Sequence, residues 1–215
     1  MQFALPPLAL SFAPAPQAAD WLVGDAALRL HKAAIVQTPA PAPYPPGGTL
    51  YTLANGLLER VFFAGADGAW CTVEYRNQRS GQTFLRALAP EGNLTLNGHR
   101  FDLGGCAGQP AGHAEFFTPE AYAPGLRAAN TSLLLTGVTH GAPEPLFAWT
   151  PGRRHAPTDV AWPPAGVHLT AALALSASAP LALRGARVTV HYELYDGMPV
   201  LRKWVEVRSP GWTRA

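Results

Sequence analysis

Glu193 and Asp196 stand three positions apart in a chain of 215 residues. A pair of carboxyls is what a retaining glycosidase uses, one as nucleophile and one as acid, roughly 5–5.5 Å apart. Here the alternation of the surrounding residues puts Glu193 on a strand and Asp196 in a turn, so the two are not expected to act together. Glu115 and Glu120 fall in an irregular stretch and read as solvated. His113-Ala114-Glu115 has the His-x-Glu of zinc deaminases but lacks the Pro-Cys-x-x-Cys partner. Gly104-Gly105-Cys106-Ala107-Gly108 is rich in glycine without the Lys-Ser/Thr of a phosphate loop, and reads as a turn that needs positive φ. No Gly-x-Ser-x-Gly elbow is present. These residues supply no catalytic constellation, and neither a metal nor a cofactor is expected.

A binding surface is a better match to the residue types. Trp149, Arg153, His155, Asp159 and Trp162 lie within one irregular stretch. Indole faces stack on sugar rings, and Arg, His and Asp supply directed hydrogen bonds. The competing expectation is that both tryptophans plug the open end of a sandwich. Asn93-Leu94-Thr95 and Asn130-Thr131-Ser132 match the N-glycosylation triplet, which has meaning only in a secreted eukaryotic protein. Cys71 and Cys106 are the only cysteines. They have no partners at zinc spacing, and two states stand open for them: one disulfide, or two buried thiols.

The elements that must carry these residues are strands. Twenty-two prolines and 21 glycines disfavour long helices, while 48% hydrophobic against 14% charged residues is enough apolar material for a packed core. From Leu50 onward, short apolar or alternating runs come about every ten residues, the spacing of an all-β sandwich. They are 50–53, 57–63, 70–75, 93–96, 100–103, 132–138 and 167–176, with the apolar run 83–88 among them. Asn55-Gly56 and Asn97-Gly98 are turn signals. Pro119 to Tyr122 allows a short helix. The most regular stretch is a hairpin around Asp196-Gly197: Val188, Val190, Tyr192 and Leu194 share one face, Leu201, Val205 and Val207 another, and Trp204 points the opposite way. Residues 1–20 read as a disordered leader, 21–36 as an early strand, and 38–48 as a proline-rich loop in a single sandwich domain over 21–215. Secretion is the lesser alternative: the start is apolar, but it lacks the basic residue that a signal peptide carries before its apolar stretch. A net charge of +2 with scattered basic residues excludes a nucleic-acid footprint, and no apolar run is long enough for a membrane span.

Several segments in order resemble one family. They are Asn55-Gly56-Leu57-Leu58-Glu59-Arg60, Asn77 to Gly81 with Phe84-Leu85-Arg86-Ala87 and Pro90-Glu91, Asn97-Gly98 with Asp102-Leu103-Gly104-Gly105, Asp159 to Gly166, and His191 to Pro199. Together they resemble the amino-terminal β-sandwich of α-galactosidase-like glycoside hydrolases over residues 50–208. The resemblance implies a two-sheet antiparallel sandwich of the supersandwich kind and a catalytic (β/α)₈ barrel as its partner, with a carbohydrate at the edge of the contact. The barrel carries that family's catalytic carboxylates, and no strand-helix alternation of a barrel occurs here. The expected role is therefore a non-catalytic accessory domain at the front of a longer chain. A stand-alone carbohydrate-binding module is the first alternative. The second is an interaction sandwich that docks through its proline-rich segment and buries its tryptophans.

Overall fold

A computed structural model describes residues 30–107, 118–149, 161–176, 179–180 and 183–208. The leader and most of the expected early strand lie outside these residues. The described chain is all-β. In chain order its strands are β1 (Ala34–Pro39), β2 (Thr49–Ala54), β3 (Leu58–Ala64), β4 (Trp70–Asn77), β5 (Asn93–Leu96), β6 (His99–Leu103), β7 (Cys106–Ala107), β8 (Arg127–Ala128), β9 (Ser132–Gly141), β10 (Gly166–Ala174), β11 (Arg187–Tyr195) and β12 (Leu201–Arg208). One sheet is the meander β1-β2-β3-β4, the other runs β12-β11-β10-β9-β6-β5, and β7 and β8 form a small ribbon. All pairs are antiparallel except β6 with β9. Pro119–Tyr122 forms one helical turn, α1, with proline in its first turn.

The alternating residues read from the sequence face the core. Leu169, Ala171 and Leu173 of β10 and Val188, Val190, Tyr192 and Leu194 of β11 pack with Leu53, Leu58, Phe62 and Trp70 of the smaller sheet. Phe62 lies parallel to Trp70 at 4.8 Å and 4.5 Å from Tyr192, so three aromatic rings join the two sheets. Strand β3 lacks alternation because both its faces are covered. Its other face, Val61 and Phe63, meets Val73, Leu88, Tyr122, Ala123 and Leu126 in a second core. Val61 opposes Glu74 and Phe62 opposes Thr72, which makes Val73 an extra residue in β4. This bulge lets Tyr75 share the inner face with Trp70 and Thr72.

One buried charge cluster crosses the sandwich. The Glu91 carboxylate accepts hydrogen bonds from Arg60 Nη2 at 2.8 and 3.1 Å and from the Thr72 hydroxyl at 2.7 Å, and it pairs with Lys203 Nζ at 2.8 Å. Lys203 also donates to the Glu91 carbonyl. The Arg60 guanidinium lies 5.0 Å from the Phe62 ring and 5.2 Å from the Tyr192 ring. Strands β3, β4 and β12 thus meet on one side chain.

The structure departs from three expectations. Residues 83–88 form no strand beyond a single bridge between Thr83 and Arg76. The proline-rich segment is not wholly a loop, since Thr38 and Pro39 close β1. Nor is that segment a free docking arm, because Tyr44 stacks on Phe63 at 5.3 Å and lies edge-on to Tyr122. Asn97-Gly98 turns as read, with φ of 49° and 80°. Gly104 also has positive φ, and a Cβ there would meet the Trp70 carbonyl at 2.6 Å.

Cys71 and Cys106 are joined, with 6.0 Å between their Cα atoms. The bridge fastens the ribbon segment to the outer face of the four-stranded sheet, inside the second core. Closing a loop of 35 residues restricts the denatured chain by about 4 kcal/mol on the loop-entropy relation. Cys106→Ser, or a reductant, is therefore expected to lower the urea midpoint by an amount equivalent to about 2–4 kcal/mol. An unchanged midpoint in reducing and non-reducing urea titrations would count against the bridge.

Candidate functional site

The side chains suited to binding gather where the β9–β10 connection leaves and rejoins the six-stranded sheet. Trp162 Nε1 donates to the Phe147 carbonyl at 3.1 Å. The Trp162 ring lies 5.2 Å from Phe147 and 5.3 Å from Trp149. A cis peptide precedes Pro163. None of these rings belongs to a core cluster. Phe147 is 54% exposed and Trp149 37%, beside an exposed Leu146. The expectation that both tryptophans plug the sandwich is therefore corrected: they pack on each other at the surface. Arg153, His155 and Asp159 lie outside the described residues.

Strand pairing builds a second cluster beside this one. His168 opposes Glu193, Thr170 opposes His191, and His191 opposes Trp204. Directly opposed residues share a face, so His168, Thr170, His191, Glu193, Arg202 and Trp204 all occupy the face turned away from the core. His191 stacks on Trp204 at 4.5 Å with the planes 8° apart, about the spacing of neighbouring strands. His168 Nε2 and His191 Nδ1 are 3.0 Å apart, so one ring donates and the other accepts. Arg202 lies 4.8 Å from the Trp204 ring. Burial pushes both imidazoles below their ordinary pKa, and the proximity of His168 pushes His191 further the same way. Glu144 and Glu193 oppose the shift at His168, while Glu206 and Glu193 oppose it at His191. Both rings are therefore neutral at pH 7.

Glu193 is 2% exposed although it lies on the outer face. Its Oε2 accepts from the Tyr195 hydroxyl at 2.6 Å and lies 3.7 Å from Arg202 Nη1. Burial and this hydrogen bond raise the Tyr195 pKa to about 12. Glu193 Oε1 has no hydrogen-bond partner among the described residues. Asp196 is turned elsewhere, accepting from Lys32 Nζ and the Ala33 amide. The two carboxylates thus serve different structures, and no acid–nucleophile pair forms between them.

Next to His168 a groove of about 380 Å³ runs along β9 and β10, lined by Thr139, Gly141, Glu144, His168 and Thr170 among others. Thr139 and Thr170 share a hydrogen bond of 2.6 Å between their hydroxyls. Among the described residues no cluster of three or more His, Cys, Asp or Glu side chains is placed to hold a metal ion. No helix among them is long and apolar enough to cross a membrane. The side chains of Asn93 and Asn130 are exposed, at the end where β5, β6 and β9 meet.

The sequence reading found the tryptophan pair but missed Phe147, the histidine pair and the groove. A signal existed. In strands whose inner faces were already assigned, His168, Thr170, His191 and Trp204 are the intervening residues and had to share the outer face. Pairing register, which the sequence does not state, brings them together. No family model, curated protein or solved structure matches the chain.

Proposed function

We propose that this chain is a non-catalytic accessory β-sandwich of an α-galactosidase-like glycoside hydrolase, which meets carbohydrate at the β9–β10 connection and packs on a (β/α)₈ barrel. The observation that carries the reading is the surface cluster of Phe147, Trp149 and Trp162. Large apolar rings grouped in solvent, outside any core, are costly to leave uncovered and suit the apolar face of a sugar ring. The ordered motifs over 50–208 connect the sandwich to that hydrolase type. For the alternative of an interaction sandwich the features divide: Trp149 is exposed and Trp162 half-buried, while the proline segment is largely exposed but held to Phe63 by Tyr44. Whether the module works alone turns on size: an immunoblot band much larger than the 215-residue chain supports the accessory role, and a band at its own mass supports the stand-alone module.

The test of carbohydrate contact is retention of the full chain by immobilised galactomannan in affinity electrophoresis. Trp149→Ala is expected to weaken retention roughly tenfold, about 1.4 kcal/mol, without moving the melting temperature. Equal mobility of wild type and variant, with and without polysaccharide, would sink the reading.

A further inference from the structure

We infer that the groove along β9 and β10 is a subsite for one neutral hexose unit, seated beside the aromatic cluster. This rests on the carbohydrate reading above and makes it specific. The volume, about 380 Å³, lies at the small end of the ~300–1,000 Å³ of ordinary ligand pockets. It suits one sugar residue better than a chain.

The lining sets the chemistry. Two hydroxyls, Thr139 and Thr170, and two imidazoles, His140 and His168, present groups that both donate and accept, as ring hydroxyls do. The lining includes no Lys or Arg, and its carboxylate is Glu144. His168 is neutral at pH 7 for the reasons given above. An anionic ligand would find no Lys or Arg to pair with, whereas a polyhydroxylated neutral one finds partners along the wall. His168 is held by His191 through the 3.0 Å contact and lies 5.2 Å from the Trp204 ring, so its orientation is set before a ligand arrives.

Gly141 provides the floor. It opposes His168 across the β9–β10 ladder, and a Cβ built on it meets nothing within 4 Å. A side chain here would grow from the outer face into the groove without clashing with the fold. Gly137, also on β9, opposes Ala172, has equally open space, and lies outside the groove lining. The two glycines form a matched pair for a test.

The full chain is titrated with methyl α-galactoside, methyl α-glucoside and methyl α-mannoside, followed by NMR of the threonine methyl and histidine ring signals. Binding of at least one glycoside, with shifts at Thr170 and His168, is expected. Gly141→Phe should weaken it at least tenfold, and Gly137→Phe should leave it unchanged. Should Gly141→Phe fail to fold, Thr170→Val replaces it, keeping the strand and removing one hydroxyl. Binding should also fall as pH drops below the ordinary histidine range and the His168–His191 pair takes up a proton. Glu144, Glu193 and Glu206 favour that uptake, whereas Arg202 opposes it at His168. Shifts confined to the Trp149 and Trp162 indoles, with Gly141→Phe unaffected, would overturn the subsite and leave the carbohydrate reading intact. Absence of any response to the glycosides together with no retention on galactomannan would overturn both.

Discussion

Glu91→Ala should destabilise the chain by about 3–5 kcal/mol, the usual cost of removing one partner from a buried ion pair. The variant strands Arg60, whose side chain is only 13% exposed, and leaves Lys203 facing the same void. It also removes the acceptor of the Thr72 hydroxyl. A urea titration of wild type and variant measures the loss, and a difference below about 1 kcal/mol, the range of surface pairs, would show that the cluster is not coupled to folding. The same carboxylate predicts an acid limb. Burial raises its pKa, but Arg60, Lys203 and two side-chain hydrogen bonds outweigh burial and leave the value below that of an ordinary glutamate. A carboxyl depressed in the folded state stabilises fully above its unfolded pKa of about 4.3, and that stabilisation is lost as pH falls through the lower folded value. Glu91→Gln should therefore flatten the acid end of the stability profile while lowering stability at pH 7.

Asn55→Ala should cost about 3 kcal/mol or more, at least two to three times the cost of Asn97→Ala. Both residues precede a glycine and both read as hairpin turns in the sequence. Asn97 has positive φ and is the turn itself. In the turn from β2 to β3 the positive φ belongs to Gly56; Asn55 is buried, and its side chain makes four hydrogen bonds. Its Nδ2 donates to the carbonyls of Tyr195 and Met198, at 2.8 and 2.7 Å, and its Oδ1 accepts from the amides of Leu57 and Leu58, both at 3.0 Å. Alanine leaves these backbone groups without their partner, and each unsatisfied buried group costs about 1–3 kcal/mol. Asn55→Asp separates the two halves, since the carboxylate keeps the acceptor and loses both donors. Equal melting temperatures for the Asn55 and Asn97 variants would refute the assignment.

That contrast shows how far the sequence could be read. Local chemistry was legible: the alternation of β10 and β11, the Asn97-Gly98 turn, the proline-started turn α1, and the outward Trp204. What depends on partners distant along the chain was not. Asn55-Gly56 turns the chain from β2 into β3 as read, with Gly56 at φ 76°, but the dipeptide does not show that its Asn also anchors a hairpin 140 residues away. Nothing local to Arg60 shows that Glu91 pairs with it and with Lys203. Residues 83–88 are apolar enough for a strand, yet Leu88 is taken by the second core rather than by a ladder. The candidate site divides the same way. Trp149 and Trp162 stood out by type, while the groove exists only because β9 lies beside β10 in one register.

The order of these contacts along the chain has a kinetic consequence. The meander β1 to β4 closes within residues 34–77, by pairings between near neighbours. The surface it offers to the second sheet is completed much later: Leu103, Leu133 and Leu169 reach it from β6, β9 and β10, and the third aromatic ring comes only with Tyr192. During synthesis, Phe62 and Trp70 therefore remain only partly covered until β11 has emerged. Pairings this remote are slow to find in β-rich chains, typically on a scale of about milliseconds to seconds. A chain halted before β11 should expose its inner aromatic face and engage a chaperone, whereas the same chain extended through β12 should release it.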